Sequence, residues 1–144
     1  MRGQNINIKS VALKASAVVL FLLGLVDLIR GFVHTFRVHH AANNLAQIEP
    51  HPDALVLMVA FGISNFLTGA LFILIAMKAK NLAPIVLLLI HVAYVVGGIG
   101  MNYSGVTMES PFIGQHMIKV YLIISLLTSL SYFIVAFINR TASK

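Results

Sequence analysis

Four separate apolar runs dominate this 144-residue sequence, and each is long enough to cross a lipid bilayer as a helix. The hydrocarbon core of a bilayer is about 30 Å thick, a distance that about 20 helical residues span. The runs cover residues 15–35, 54–77, 82–101 and 111–138. Because 59% of the residues are hydrophobic and only 10% are charged, a soluble core of this size cannot bury them. The sequence predicts an all-α integral membrane four-helix bundle that forms one domain over residues 1–144.

Basic residues near the ends of the predicted spans indicate how the chain is oriented. With spans that alternate in direction, the basic residues on one side of the membrane are Arg2, Lys9, Lys14, Lys78, Lys80, Arg140 and Lys144. Outside the spans, the other side has only Arg37. Because Lys and Arg accumulate in cytoplasmic loops, we predict that both termini lie inside, an N-in/C-in topology. This distribution explains the net charge of +6 without nucleic acid as a partner, since no basic patch with interleaved aromatics lies outside the spans.

The first span carries three ionisable residues at positions where lipid disfavours charge. Asp27, Arg30 and His34 are spaced i, i+3, i+7, which places them along one stripe of the helix, with Gly24 and Gly31 on the same side. Asp and Arg at a bilayer centre cost about 2.5 to 3.5 kcal/mol each, so this stripe is predicted to face protein. Two interpretations stay open. Either the charged pair locks helices together or snorkels, or the stripe serves a ligand or a proton pathway.

The second and third spans each contain a polar side chain near small or aromatic residues. In the second, Gly62, Asn65 and Gly69 share a face, a pattern that favours close helix packing over a polar site. In the third, His91 and Tyr94 share a face, and packing is again favoured over ligand binding. The link between these two spans is only KAKN, which predicts that the two helices are antiparallel neighbours.

The fourth span carries two separate polar groups. His116 and Lys119 lie in its first turns, at a depth similar to that of His34 in the first span. A second stripe on a different face is interpreted as helix packing, and it consists of Tyr121, Ser125, Thr128 and Tyr132. One straight helix cannot direct both groups at the same partner.

The intramembrane polar residues are candidates for binding, but they form no recognisable catalytic set. We predict that the ionisable ones line one water-accessible cavity in the outer half of the bundle. The candidate ligand-binding residues are Asp27, Arg30, His34, Asn65, His91, Tyr94, His116 and Lys119. The lack of cysteine excludes thiol catalysis, disulfides and thiolate metal sites. The histidines and acidic residues of the first loop have no recognised metal-ligand spacing, so a solvated loop is favoured over a cation site.

The layout of the chain resembles that of DoxX-like and related small four-helix membrane proteins of bacteria. The resemblance lies in four short spans, Gly24 and Gly31 in the first, a polar loop with prolines, and Gly69 in the second. It covers most of the length and depends mainly on the spacing of glycines and spans. The resemblance implies a multi-pass protein of the bacterial inner membrane that acts as a small subunit near redox chemistry. It transfers no catalytic residue.

The leading functional hypothesis is a non-enzymatic membrane protein whose outward-facing polar pocket binds a small ligand or a partner subunit. Its partners are then the lipid bilayer and either a second membrane subunit or a further copy of the chain. One alternative is a redox anchor in which His34 and His116 ligate haem b, with Arg30 and Lys119 near its propionates, or in which the pocket holds a quinone. Another is a proton-coupled transporter subunit that uses Asp27 and the histidine of the third span.

Overall fold

The computed structural model describes residues 2–107 and 113–141, with side chains from Ile8 onward. Four long helices account for most of this part of the chain: α1 (Arg2–Phe36), α2 (Pro52–Lys78), α3 (Ala83–Tyr103) and α4 (Ile113–Thr141). A short helical turn at Val38–His40 continues into a π-helix at Ala41–Ala46, and we call the two together the loop helix. The described residues contain no strand, so the all-α prediction is confirmed for them.

Each long helix contains a segment that is long and apolar enough to cross a membrane. The mean hydropathy of these segments lies between 2.1 and 2.3, and most of their residues are not buried inside the protein. Apolar side chains that face outward suit a lipid environment, which identifies a multi-pass membrane protein with four spanning helices, as the sequence predicts. The predicted beginning of the fourth span at residue 111 lies outside the described residues.

Helix α1 lies at the centre of the bundle and packs most closely against α2, with further contacts to α3 and α4. Two pairs of glycines bring the backbones of α1 and α2 into direct contact. A Cβ added at Gly69 would lie 2.7 Å from the carbonyl oxygen of Gly24, and one added at Gly31 would lie 3.0 Å from that of Gly62. The pairing runs in opposite directions along the two chains, so α1 and α2 are antiparallel. The small-residue interpretation of this face is confirmed.

The main apolar core lies at the end of the bundle where α2 is linked to α3. Its buried residues come from three helices: Ala17, Leu20, Leu23, Ala76, Ala83, Leu87 and Ile90. Helix α4 closes this end, where the hydroxyl of Ser129 donates a hydrogen bond of 3.0 Å to the carbonyl of Pro84. Both of these residues are fully buried. Pro84 is tolerated because the first turn of α3 needs no internal N–H partner.

Helices α2 and α3 meet at their short link but do not pack along their lengths. Both contact the turn at Lys80–Leu82, whereas close approaches between α2 and α3 themselves are few. The prediction of neighbouring helices therefore holds at the link, whereas beyond the link α2 packs closely against α1 and not against α3. Beyond Ile90 and the half-buried His91, α3 is exposed from Val92 to Tyr103. A Cβ added at Gly98 meets nothing within 4 Å.

Candidate functional site

The carboxylate of Asp27 is the most deeply buried charged group among the described side chains, with 3% of the residue exposed. Its two oxygens accept hydrogen bonds from different helices. Arg30, one turn later on α1, donates from Nη1 to Oδ1 at 3.3 Å. Tyr121 of α4 donates its hydroxyl to Oδ2 at 3.2 Å. The predicted Asp27–Arg30 pair is therefore present, and a tyrosine that sequence analysis assigned to packing completes it.

A cleft of about 390 Å³ opens between α2 and α3, with α1 behind it, and we call it the α2–α3 cleft. Four of the eight predicted ligand-binding residues line it: Asp27, Arg30, Asn65 and Tyr94. Thr68 and Tyr121 add two hydroxyls, and the rest of the lining is apolar or aromatic. A mostly apolar space with a few convergent polar groups is typical of small-molecule sites.

Asn65 is the polar residue of the cleft that lacks a complete set of partners. The residue is 7% exposed, and its amide nitrogen has no hydrogen-bond partner among the described residues. It lies between Gly62 and Gly69 on the face of α2 that packs closely against α1. Most buried polar groups in proteins are paired, which makes this nitrogen an exception with a cause to be found.

A second, larger space of about 720 Å³ lies between α1 and α4 beneath the loop helix, and we call it the α1–α4 cavity. His34 and His116, for which the sequence predicts a similar depth, both line it. Leu45 and Ala46 of the loop helix contribute to the wall. His34 Nδ1 lies 2.7 Å from the carbonyl oxygen of Arg30, an N–H donor geometry that leaves Nε2 as the available ring nitrogen.

Arg30 separates the two spaces and lines both of them, together with Phe61 and Tyr121. Its guanidinium carbon lies 5.6 Å from the centre of the Phe61 ring, within the range of a cation–π contact. The two spaces therefore adjoin at one arginine. The prediction of a single cavity that contains all of the ionisable residues does not describe this arrangement.

Two predicted residues lie outside both spaces. His91 Nε2 is 2.9 Å from the hydroxyl of Ser125 on α4, a contact between packed helices. Lys119 is exposed and lines neither the cleft nor the cavity. Ligand binding by these two residues stays a prediction that the geometry does not favour. The other six are distributed between two adjoining spaces.

Tyr121 is the functional residue that sequence analysis missed. It belongs to a stripe with Ser125, Thr128 and Tyr132 that the period of α4 assigns to helix packing. Ser125 does pack in this way, since it contacts His91. The available signal was chemical: a tyrosine hydroxyl in lipid requires an acceptor, and Asp27 was the one carboxylate within the predicted spans.

No group of three His, Asp or Glu side chains suited to hold a metal ion occurs in the part of the chain that the structure describes. No protein-family model matches the sequence, and neither a curated protein nor a solved structure is significantly similar to it. A function must therefore be inferred from the cleft and the cavity themselves.

Proposed function

We propose that the chain is a non-enzymatic membrane protein whose α2–α3 cleft binds a small molecule dissolved in the bilayer. The observation that carries this proposal is the state of Asn65. Its amide nitrogen is buried without a partner among the described residues, and its side chain lines the cleft. A buried donor without an acceptor costs about 1 to 3 kcal/mol, and rotation of the amide would let Asn65 donate instead to a ligand oxygen in the cleft.

The cleft is accessible from the side of the bundle. Leu89, Ala93 and Tyr94 on the α3 wall are exposed, as is Phe61 on α2. In a bilayer this rim contacts lipid, so a lipid-soluble molecule reaches the cleft without crossing water. The buried carboxylate of Asp27 and its arginine partner then form a polar anchor for one end of the molecule.

Orientation and compartment belong to the same proposal. The seven-to-one distribution of basic residues supports N-in/C-in helices, which places Asp27, Asn65 and Tyr94 in the middle or outer half of the membrane. A bacterial inner membrane follows from the resemblance to DoxX-like proteins, which stays a prediction. A partner subunit or a second copy of the chain is the competing occupant of the exposed rim.

The test is recovery of the bound molecule. Protein extracted with its own membrane into lipid particles should carry a small molecule beyond the bulk lipids, identified by mass spectrometry after organic extraction. Asn65→Leu, which keeps the branched shape and the number of heavy atoms and removes the polar group, should lower its recovery at least tenfold. Ser64→Ala is the matched control, because that exposed hydroxyl bonds to the Ala60 carbonyl of its own helix at 3.2 Å.

The variant must be shown to fold, by a helical circular dichroism spectrum and elution at the wild-type volume. If Asn65→Leu does not fold, Ala93→Phe provides the second variant, because it narrows the exposed wall of the cleft without removing a buried contact. Equal recovery from wild type, Ser64→Ala and the cleft variants would refute the proposal.

A second candidate is a haem b anchor, and one observation favours it: His34 and His116 line the same cavity. The bond from His34 Nδ1 to the Arg30 carbonyl is the kind of contact that orients a metal-ligating imidazole through its other nitrogen. Arg30 also lines this cavity, whereas Lys119, the other expected propionate partner, does not. Haem bound here would supply one-electron redox chemistry.

The visible spectrum of the purified protein distinguishes this candidate. A Soret band that His34→Ala abolishes and His91→Ala retains would favour it, because His91 contacts Ser125 and lies outside the cavity. A colourless protein after expression with added haem precursor would refute it. Proton-coupled transport receives no comparable support, since the contacts of Asp27 and His91 lead to different residues of α4.

A further inference from the structure

The hydrogen-bonding groups of the α2–α3 cleft are unequally used. Both oxygens of the Asp27 carboxylate already accept hydrogen bonds. On the donor side, Arg30 uses one N–H toward Asp27, and the guanidinium has five. The amide nitrogen of Asn65 has no acceptor among the described residues. Arg30 therefore retains unused donors at the cleft, and each carboxylate oxygen already accepts one hydrogen bond, so a ligand that presents an acceptor complements these groups.

The charged side chains of the cleft restrict the class of ligand further. The charged side chains that line the cleft are one carboxylate and one guanidinium, which form a pair with no net charge. A carboxylate or phosphate head would add an unbalanced negative charge in surroundings of low dielectric constant. An ammonium head would add a positive charge next to Arg30, at a carboxylate whose two oxygens each accept a hydrogen bond already. A neutral acceptor meets neither penalty.

The side chains that form the walls of the cleft indicate the chemistry of the rest of the ligand. Phe61, Phe72 and Tyr94 line the cleft beside the polar group, and the α3 wall is exposed toward lipid. An apolar body fits between these side chains, with its remaining length in the bilayer. The buried nitrogen of Asn65 reaches a bound oxygen after a rotation that exchanges the two ends of the amide, which places the amide oxygen at the buried position.

We infer that the ligand of the α2–α3 cleft is a neutral, lipid-soluble carbonyl compound whose oxygen accepts hydrogen bonds from Asn65 and Arg30. This inference rests on the proposed function and specifies its ligand class. The binding event forms and breaks no covalent bond.

The experiment compares four compounds that share one long alkyl chain and differ at the end: a methyl ketone, an alkane, a fatty acid and an alkylamine. Each carries bromine on the chain and is added to protein in lipid nanodiscs. The protein has no tryptophan, so one introduced by Leu89→Trp on the cleft wall is a unique fluorophore that bromine quenches on contact. Val96→Trp, exposed on the same helix outside the cleft, reports simple partition into lipid.

The ketone should quench the Leu89→Trp protein at about one tenth of the concentration that the alkane requires, since one net hydrogen bond of about 1 to 1.5 kcal/mol corresponds to about tenfold in affinity. At the Val96→Trp position the four compounds should quench alike after correction for their lipid content. Adding Asn65→Leu to the Leu89→Trp protein should bring the ketone to the level of the alkane, and adding Ser64→Ala should not.

A label on the ketone carbonyl gives a readout that needs no variant. Its infrared stretch should shift to lower frequency in nanodiscs that contain the wild-type protein, because hydrogen bonding weakens the C=O bond. If Asn65→Leu does not fold, this shift decides the question: an unshifted band overturns the inference.

The outcomes separate this inference from the proposal beneath it. Stronger quenching at Leu89→Trp than at Val96→Trp by all four compounds alike would keep a binding cleft and overturn the carbonyl class. Preference for the fatty acid or the amine would also overturn it and identify a charged head. No difference between the two tryptophan positions for any compound would refute the binding cleft itself.

Discussion

The pair formed by Asp27 and Arg30 allows a quantitative test of how the bundle tolerates charge. Three variants complete a double-mutant cycle: Asp27→Leu, Arg30→Met and the double replacement. Arg30→Met leaves a carboxylate that is 5% exposed with only the Tyr121 hydroxyl as a partner. Asp27→Leu leaves a guanidinium that is 20% exposed and removes the acceptor of Tyr121. The double variant leaves no charged side chain at positions 27 and 30.

The expected magnitudes follow from burial. Removing one member of a buried ion pair costs about 3 to 5 kcal/mol, because the remaining charge is uncompensated. Asp27 is almost fully enclosed, so Arg30→Met should lower the free energy of unfolding by about 4 kcal/mol. Arg30 retains some exposure, so Asp27→Leu should lower it by about 3 kcal/mol. Replacing both with apolar side chains is often close to neutral, so the double variant should lose less than about 2 kcal/mol.

The assay is reversible unfolding by a denaturing detergent added to protein in mild micelles, followed by far-ultraviolet circular dichroism. The coupling energy is the double-variant change minus the sum of the single changes, about 5 kcal/mol or more in magnitude from the values above. Lys119→Met is the control for loss of a charge from an exposed position, and it should change the unfolding free energy by less than about 0.5 kcal/mol. Additive single changes would show that the two side chains do not compensate each other and would refute the reasoning.

Two further predictions concern packing and topology. Gly69→Ala should lower the free energy of unfolding by about 1 to 3 kcal/mol, because its Cβ would meet the Gly24 backbone at 2.7 Å. The matched Gly98→Ala should not destabilise the protein, since nothing lies within 4 Å of that position. Equal effects of the two substitutions in detergent unfolding would contradict the contact between α1 and α2. The chain has no cysteine, so Asn43→Cys and Ala142→Cys each create a single thiol. In intact cells an impermeant thiol reagent should label the first and spare the second, and labelling of Ala142→Cys from outside would exclude the N-in/C-in topology.

Helical periodicity predicts which residues share one face of a helix. The contacts and faces within single helices could therefore be predicted from the sequence. The spacing of Asp27 and Arg30 predicts their contact, and the spacing of Gly62 and Gly69 predicts a face that permits close approach. Both follow from local geometry, because residues three, four or seven positions apart in a helix are neighbours whatever the helix packs against.

The identity of the partner helix was not accessible in the same way. Tyr121 and Asp27 are 94 positions apart, and no local rule relates them. The short link after Lys78 predicts adjacent helices, but α1, and not α3, makes the close contact with α2, through the backbones at Gly24 and Gly31. Competition among helices for one neighbour depends on all of their surfaces together, which explains why the division into a cleft and a cavity emerged only from the structure.

The glycine contacts between α1 and α2 also have a consequence for the order of assembly. These two helices precede α3 and α4 in the chain, so they leave the ribosome first and can form their backbone contact as a hairpin before the rest is made. During that interval Asp27 has Arg30 beside it but no tyrosine, because Tyr121 arrives with the last helix. The carboxylate of Asp27 is therefore incompletely paired until α4 is made. A chain released before α4 is complete would leave Oδ2 of Asp27 without its hydroxyl partner.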